Sequence, residues 1–483
     1  MSDNVINYQY DTDLTKYLGV NLTVVDEPSD EEIMMQYEEN LFLPGLNKRT
    51  GEKRINENVF AEEFRDVNKL RYNNGLFYTR FGKRTDEIIA RDIWESISQE
   101  PFDICTNVAQ VTKRLLDAVK IVSTVPALDT NEDVIPFANG DFIVSRWEFR
   151  VGEFSPTAYR LSAPLMPYLE PIPNFLKWLG NLFTEEDQNT LQQYLGYCLV
   201  NTTRAQKALF LVGEGGAGKS GLGVILQEIL GEADINIVNT QEFMQDKFKL
   251  AELEHKLVLY DDDLDSAALS DTGLYKKLIT NTLTITADRK YGQPFKFSPK
   301  AKLVACCNQM LSAVQYTTEG FYRRLLPIVI KPIAPDFVPD PSFYDKLRAE
   351  RNGITQWALL GLRNLVYNGW VLPESNRTKN YLEQKKGIEN PMPEFMDSVF
   401  EFGEGCGELS TAEILNVYDV WCRKTRTSSM RPKQVQMWLT DNCTKYGVFY
   451  DRIVKDGKRM RGYRGISIKP EWSQSTKIPL VAD

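Results

Sequence analysis

Apolar residues recur at helical spacing over 86–125, in DEIIARDIWESI and VAQVTKRLLDAVKIV, and again over 174–200, in NFLKWLGNLF and QNTLQQYLGYCLV. Both stretches predict amphipathic helices. Upstream of them, Asn73-Asn74-Gly75 between Tyr72 and Phe77 predicts a hairpin turn, and FANGDFIV, 137–144, a turn and a strand. From 205 to 332 the pattern changes. Short unbroken apolar runs alternate with helical stretches, which predicts an α/β fold with a mainly parallel sheet and helices packed on it. A helical stretch continues to about 370. Residues 371–393 are polar and proline-containing and predict a linker with a short helix in it. Beyond it, STAEILNVYDVWCRKT predicts a helix capped by Ser410 or Thr411, and RPKQVQMWLTDNC a second helix with Pro432 near its start. A hairpin over 446–470 follows, turning at Asp456-Gly457. Helix, helix and β-wing together outline a winged-helix domain at 394–483. No internal repeat or low-complexity tract interrupts the chain.

The net charge of −9 excludes a uniformly basic nucleic-acid binder but leaves room for local basic sites. Residues 1–45 hold ten acids and one lysine, Lys16, and read as a solvated or weakly ordered acidic arm. Residues 46–95 then turn basic and aromatic, so 1–95 is taken as an arm followed by an N-terminal domain. Between Arg423 and Lys469 stand thirteen Lys/Arg against three acids. No run is long and apolar enough to span a membrane. The polar, acidic start MSDNVINYQYDTD is no secretory signal, which points to a cytoplasm. Seven cysteines without a CxxC pair argue against a zinc ribbon and fit a reducing compartment. The single histidine, His255, leaves no multi-histidine metal site. It reads as a packing or loop residue.

The run ALFLV, 208–212, leads directly into GEGGAGKS, 213–220, and that into the helical pattern GLGVILQEIL. This is the P-loop pattern in its required strand–loop–helix context. Glycines let backbone N–H groups turn inward around a phosphate chain, and a helix N-terminus adds partial positive charge. The expected phosphate cradle is Gly213, Glu214, Gly215, Gly216, Ala217, Gly218, Lys219, Ser220 and Gly221. Lys219 would reach the outer phosphates and Ser220 would ligate Mg²⁺, so ATP and Mg²⁺ are the expected cofactors.

A P-loop needs an acidic strand end beside it, and KLVLYDDDLD, 256–265, supplies one. Asp261 is assigned to the metal and Asp262 to the attacking water, with a one-residue shift to Asp262 and Asp263 left open. KAKLVACCNQM, 300–310, ends an apolar strand in Asn308, whose amide can meet the γ-phosphate or the water, although asparagine commonly ends strands anyway. Cys306 and Cys307 read as small core hydrophobes. Between these strands 283–302 predicts a β-hairpin turning at Gly292, with Arg289, Lys290 and Tyr291 near its tip. A cation beside an aromatic suits a DNA backbone and a stacked base; solvated charges on an ordinary hairpin are the alternative. FYRRLLPIVI adds Arg323-Arg324 ahead of another apolar strand.

Taken in order, GEGGAGKS, the acidic strand, ITADRKY, the strand ending in Asn308 and GFYRRLLPIVI resemble a superfamily 3 helicase, of the phage, plasmid and poxvirus primase-helicase branch. The likeness is nearest to replication initiator helicases of staphylococcal pathogenicity islands or phage satellites. In ITADRKY the tip pair is Lys290-Tyr291 where papillomavirus-type initiators carry Lys-His. The resemblance covers roughly 135–470, with specific motifs in 205–330. It implies an AAA+ P-loop core over 205–370, a helical collar or oligomerisation region over 96–204, and a hexameric ring that unwinds DNA 3′-to-5′ and melts an origin in a bacterial host cell. It also implies Arg324, with Arg323 the alternate, as an arginine finger reaching the neighbouring subunit's nucleotide. A primase upstream is not expected, because the N-terminal part has no histidine for it and no zinc module.

For the C-terminal unit the basic excess favours origin-duplex binding, with Lys433, Gln434 and Gln436 toward a major groove and Lys458, Arg459 and Arg461 in the wing. A protein-interaction or purely structural winged helix is the alternative. For the whole chain the rival to a helicase is an ATP-switch protein, a loader or regulator that binds DNA without processive unwinding.

Overall fold

A computed structural model of the chain describes residues 19–24; 41–46; 53–98 apart from 74, 80 and 81; 107–125; 131–264 apart from 156, 232, 233, 241, 242, 244 and 245; 272–280; 284–288; 294–310; 319–335; and 338–477 apart from 428 and 456. It divides into two units. The first is 1–264, 277–308 and 330–375; the second is 265–276, 309–329 and 376–483.

The first unit begins with strand β1 (Asn21–Val24) and the antiparallel pair β2 (Phe42–Leu46) and β3 (Lys53–Ile55), then helix α1 (Glu57–Val67). A three-stranded antiparallel meander follows, β4 (Arg71–Asn73), β5 (Leu76–Thr79) and β6 (Gly82–Arg84). Asn73 pairs with Leu76 and Gly75 takes φ +84°, a backbone a β-carbon disfavours, so the expected tight turn forms here. Helices α2 (Asp86–Ile97) and α3 (Val108–Ser123) realise the periodicity of 86–125. Ile89, Ile93 and Ile97, four residues apart, turn one face of α2 onto a core shared with Phe60, Phe64, Phe77, Leu115 and Val119.

Next comes the sheet β1-β9-β8-β7, made of β7 (Val134–Phe137), β8 (Gly140–Ile143) and β9 (Glu148–Val151) as an antiparallel meander with β1 parallel on its edge. Residues 96–204, expected as a helical collar, therefore contain strands as well as helices. The turn and strand expected over 137–144 form as the β7–β8 connection and β8, while β7 and β9, four residues each, are too short to show a period against flanking turns.

Helices α4 (Pro173–Leu182) and α5 (Glu185–Cys198) lead into β10 (Ala208–Val212), α6 (Gly221–Leu230), β11 (Ile235–Ile237), β12 (Val258–Asp261), β13 (Ile285–Ala287), β14 (Phe295–Phe297) and β15 (Lys302–Cys307). The main-sheet strands of this unit run β11-β12-β15-β10, every pair parallel. β10, β12 and β15 are buried along their whole length, which explains their continuous apolar runs. The mixed α/β core with a parallel sheet is as expected. β13 and β14 form the expected hairpin, Ala287 opposite Phe295. Two further helices are α7 (Phe343–Ala349) and α8 (Arg351–Tyr367). α5 and α8 touch backbone to backbone: a β-carbon on Gly196 would lie 2.3 Å from the Leu362 nitrogen, and one on Gly361 2.0 Å from the Gln192 oxygen.

The second unit contains β16 (Leu325–Val329), α9 (Asn376–Glu389), α10 (Met392–Val399), β17 (Phe400–Phe402), β18 (Glu408–Ser410), α11 (Thr411–Thr425), α12 (Pro432–Asn442), β19 (Phe449–Lys455), β20 (Lys458–Arg464) and β21 (Ile466–Ile468). The expected linker 371–393 holds the 14-residue α9, fixed to β16 by a 2.6 Å bond from Thr378 Oγ1 to the Pro327 oxygen, so it is structured chain. Ser410 and Glu413 cap α11 reciprocally. β18, β20 and β19 form an antiparallel sheet, and Phe395 anchors the core with ring contacts to Phe400, Tyr418 and Trp421 at 5.1, 5.0 and 5.5 Å.

Candidate functional site

The loop between β10 and α6 bends through Gly216 at φ +78° and Gly218 at φ +85°. At its entrance a β-carbon on Gly213 would meet the Ile330 side chain at 2.2 Å, so only glycine fits. Lys219, only 8% exposed, points its ammonium into the loop's concave side. It donates to the carbonyls of Gly213 (2.5 Å) and Glu214 (2.7 Å) and reaches Asn308 Oδ1 at 3.4 Å. Ala217 is buried, Glu214 and Gly215 are exposed, and Gly221 opens α6. From below, the Trp178 indole of α4 donates to the Gly218 carbonyl at 3.0 Å.

Opposite the loop, the strand end separates its three acids by direction. Ser220 Oγ donates to Asp262 Oδ2 at 2.9 Å, and the Tyr260 hydroxyl donates to Asp262 Oδ1 at 2.6 Å. Burial pushes the Tyr260 phenol well above its ordinary pKa, so it stays a donor. Asp261 lies on the other side. It is 3% exposed, its Oδ2 accepts from the Thr240 backbone N–H at 2.6 Å and its Oδ1 from that of Asp263 at 3.3 Å. The metal role expected of Asp261 does not match this placement. Strand alternation puts Tyr260 and Asp262 on one side and Asp261 on the reverse.

Lys219, Ser220, Asp262, Asp263, Asn308 and Trp178 line one cavity of about 700 Å³. Among the described residues no three acids, cysteines or histidines cluster as a cation cage. A hydroxyl and a carboxylate 2.9 Å apart do suit Mg²⁺, which takes few protein ligands and completes its shell with water and phosphate oxygens. Trp178, Tyr260 and Gly223 escaped the sequence reading. A β-carbon on Gly223 would lie 2.4 Å from the Tyr260 ring, so this glycine lets Tyr260 slide under α6. A glycine inside a helical pattern was the available signal.

The other expected residues lie elsewhere. Arg323 and Arg324 belong to the second unit. Arg323 is exposed, while Arg324 Nη1 donates to the Gly320 carbonyl and its Nε finds no partner among the described residues. Burial, then the neighbouring Arg323 charge, lowers the Arg324 pKa. Arg289, Lys290 and Tyr291 lie outside the described residues. Lys433, Lys458 and Arg459 are exposed in the second unit. Gln434, expected toward a groove, instead accepts from the Arg431 backbone N–H at 3.0 Å and caps α12. His255 is a loop residue at φ +62°, edge-on to Tyr78 at 6.1 Å between ring centroids.

Residues 211–324 match a family model described as "Family of unknown function (DUF5906)", a span holding nearly all of these site residues. Over 237 residues the chain is 28% identical to "Putative helicase L207/L206" of Acanthamoeba polyphaga mimivirus, covering 46% of this chain and 24% of that protein. The chain thus spans about a quarter of that relative's length. Among solved structures, apo forms of the NrS-1 C terminal region align over 91% of this chain and 100% of theirs, at 13% and 14% identity and TM-scores of 0.47 and 0.46. Among the described residues no helix is long and apolar enough to cross a membrane.

Proposed function

We propose that the protein is a Mg²⁺-dependent ATP hydrolase that drives DNA strand separation, a replicative helicase and replication initiator of the superfamily 3 AAA+ kind. One observation carries the reading: Lys219, Ser220, Asp262 and Asn308 converge on one cavity behind a glycine-bent loop that follows a buried parallel strand. The similarity to a protein named as a helicase supports it.

Backbone N–H groups of 213–221 hold the phosphate chain, and Lys219 exchanges its loop carbonyls for β- and γ-phosphate oxygens. Ser220 and Asp262 hold Mg²⁺, which when bound neutralises charge on those oxygens. Asp263 orients the attacking water, and Asn308 donates its amide to the γ-phosphate. Asp262 thus takes the metal role and Asp263 the water role, the one-residue shift that the sequence left open. Arg324, or Arg323, serves the neighbouring subunit in a homo-hexameric ring with 3′-to-5′ polarity. Arg289, Lys290 and Tyr291 grip a single strand in its channel. Residues 394–483 act as a winged helix on origin duplex, through Lys433, Lys458 and Arg459, in the cytoplasm of a bacterial host.

The test is ATP hydrolysis with and without single-stranded DNA, beside strand displacement on a forked duplex. DNA-stimulated hydrolysis with displacement, both abolished by Lys219→Ala, is expected. Hydrolysis without displacement would favour the loader or regulator. A protein that binds no Mg·ATP would sink the reading.

A further inference from the structure

The hairpin of β19 and β20 sorts its arginines by side. In its register Arg452 stands opposite Arg461, Val454 opposite Arg459, and Tyr450 opposite Tyr463. Paired and alternate positions share a face, so these six residues lie on one side of the ribbon. Lys455, Lys458 and Arg464 lie on the other, where Lys455 and Arg464 have acid partners and Lys458, at the turn end of the ribbon, is exposed without one among the described residues. Lys455 Nζ is 2.5 Å from Glu413 Oε1, and Arg464 is 2.9 Å from Glu408 and 3.3 Å from Asp451. On the first side Arg452, Arg459 and Arg461 are exposed, and among the described residues none has an ion-pair partner.

Like charges placed directly opposite in an antiparallel pair destabilise the sheet, and a Val454 that is 63% exposed beside them adds no burial. Local stability does not explain this face. Its position does. Tyr463 and Leu409, paired on the same side, are buried in the core beneath α11 and α12, so the arginine row continues outward from the side on which those helices pack. α12 itself is a poor cation source. Its outward row carries Lys433 and Met437 and ends at the acid Asp441.

We infer that the Arg452, Arg459 and Arg461 face of this ribbon, rather than α12, supplies most of the phosphate contacts to duplex DNA. Phosphates provide the anions that the protein withholds on this side, and each guanidinium can take a phosphate bidentately. Sequence preference then rests with few side chains, and most of the affinity is independent of sequence. The assignment rests on the DNA-binding reading above.

The test measures full-length protein binding a labelled duplex of arbitrary sequence across a salt series. Each lost phosphate contact should flatten the log–log slope by about 0.9. R452Q/R459Q/R461Q should therefore lower it by roughly 2.7 and weaken binding to every duplex alike. The corresponding triple lysine variant should restore the slope, because the charge is kept. R464Q, on the acid-paired side, should leave it unchanged, and thermal melting confirms that each variant is folded. A wild type that binds duplex, with a folded triple glutamine variant of the same slope, overturns this assignment and leaves the helicase reading standing. A wild type that binds no nucleic acid at any salt overturns both.

Discussion

Asp261 and Asp262 are neighbours with opposite environments, and their amide variants should fail differently. Asp262→Asn removes the charge beside Ser220 and should cut kcat for ATP about 100-fold or more with little change in melting temperature. Asp261→Asn disturbs buried bonds to two backbone N–H groups, and should cost about 1–3 kcal/mol of stability in thermal or urea unfolding. If both variants fold like wild type and lose activity equally, the division of roles is wrong. Tyr260→Phe removes only the hydroxyl that orients Asp262, so it should raise the Mg²⁺ concentration for half-maximal hydrolysis about tenfold. Lys219, Ser220 and the loop glycines were legible because backbone geometry admits so few residues at each place. The ordering of three consecutive aspartates was not. It depends on which side of the strand faces the loop, and composition carries no trace of that. Trp178 was hidden for another reason: an apolar position in a helical pattern looks the same whether it faces a core or a phosphate loop.

Among elements, the crossing of α5 and α8 depends on glycine on both sides. Gly196→Ala or Gly361→Ala would drive a methyl into backbone atoms that cannot yield singly, and should destabilise the first unit by about 1–3 kcal/mol. Gly180→Ala in α4, which meets nothing within 4 Å, should instead stabilise by about 0.5–1 kcal/mol through helix propensity. Unfolding midpoints of the three variants check the contrast. Long elements with a strong period, such as α2, α3 and the buried strands, could be read in advance. The turn and strand of 137–144 were legible as β8 and the connection before it, but β7 and β9 were not, because tertiary pairing rather than local pattern makes them strands. α9 was underestimated because its polar, lysine-rich sequence hides a few anchoring positions, Thr378 and Leu382 among them.

At the scale of the whole molecule, a buried cation links stability to pH. Lys302 opens β15, donates to the Val200 carbonyl just past the end of α5, and lies 5.3 Å from the Tyr197 ring centre. Burial lowers its pKa to about 7, below the value near 10.4 of an unfolded lysine. Between these values the unfolded chain holds more protons, so this group's contribution to stability rises as pH climbs from about 7 to about 10. Lys302→Met should flatten that rise, read from unfolding midpoints across the pH series. On the proposed function, a different buried group bears on how work would leave the cavity around Lys219. Both oxygens of Glu350 hold the first turn of α4, accepting from the backbone N–H groups of Asn174 (2.9 Å) and Phe175 (2.8 Å). The helix that carries Trp178 is thereby bolted to the start of α8. In a motor such a joint is the stator, the fixed mount against which the moving parts push. Loosening it with Glu350→Gln should make the engine slip, consuming more ATP for each base pair opened while fuel consumption itself stays nearly constant.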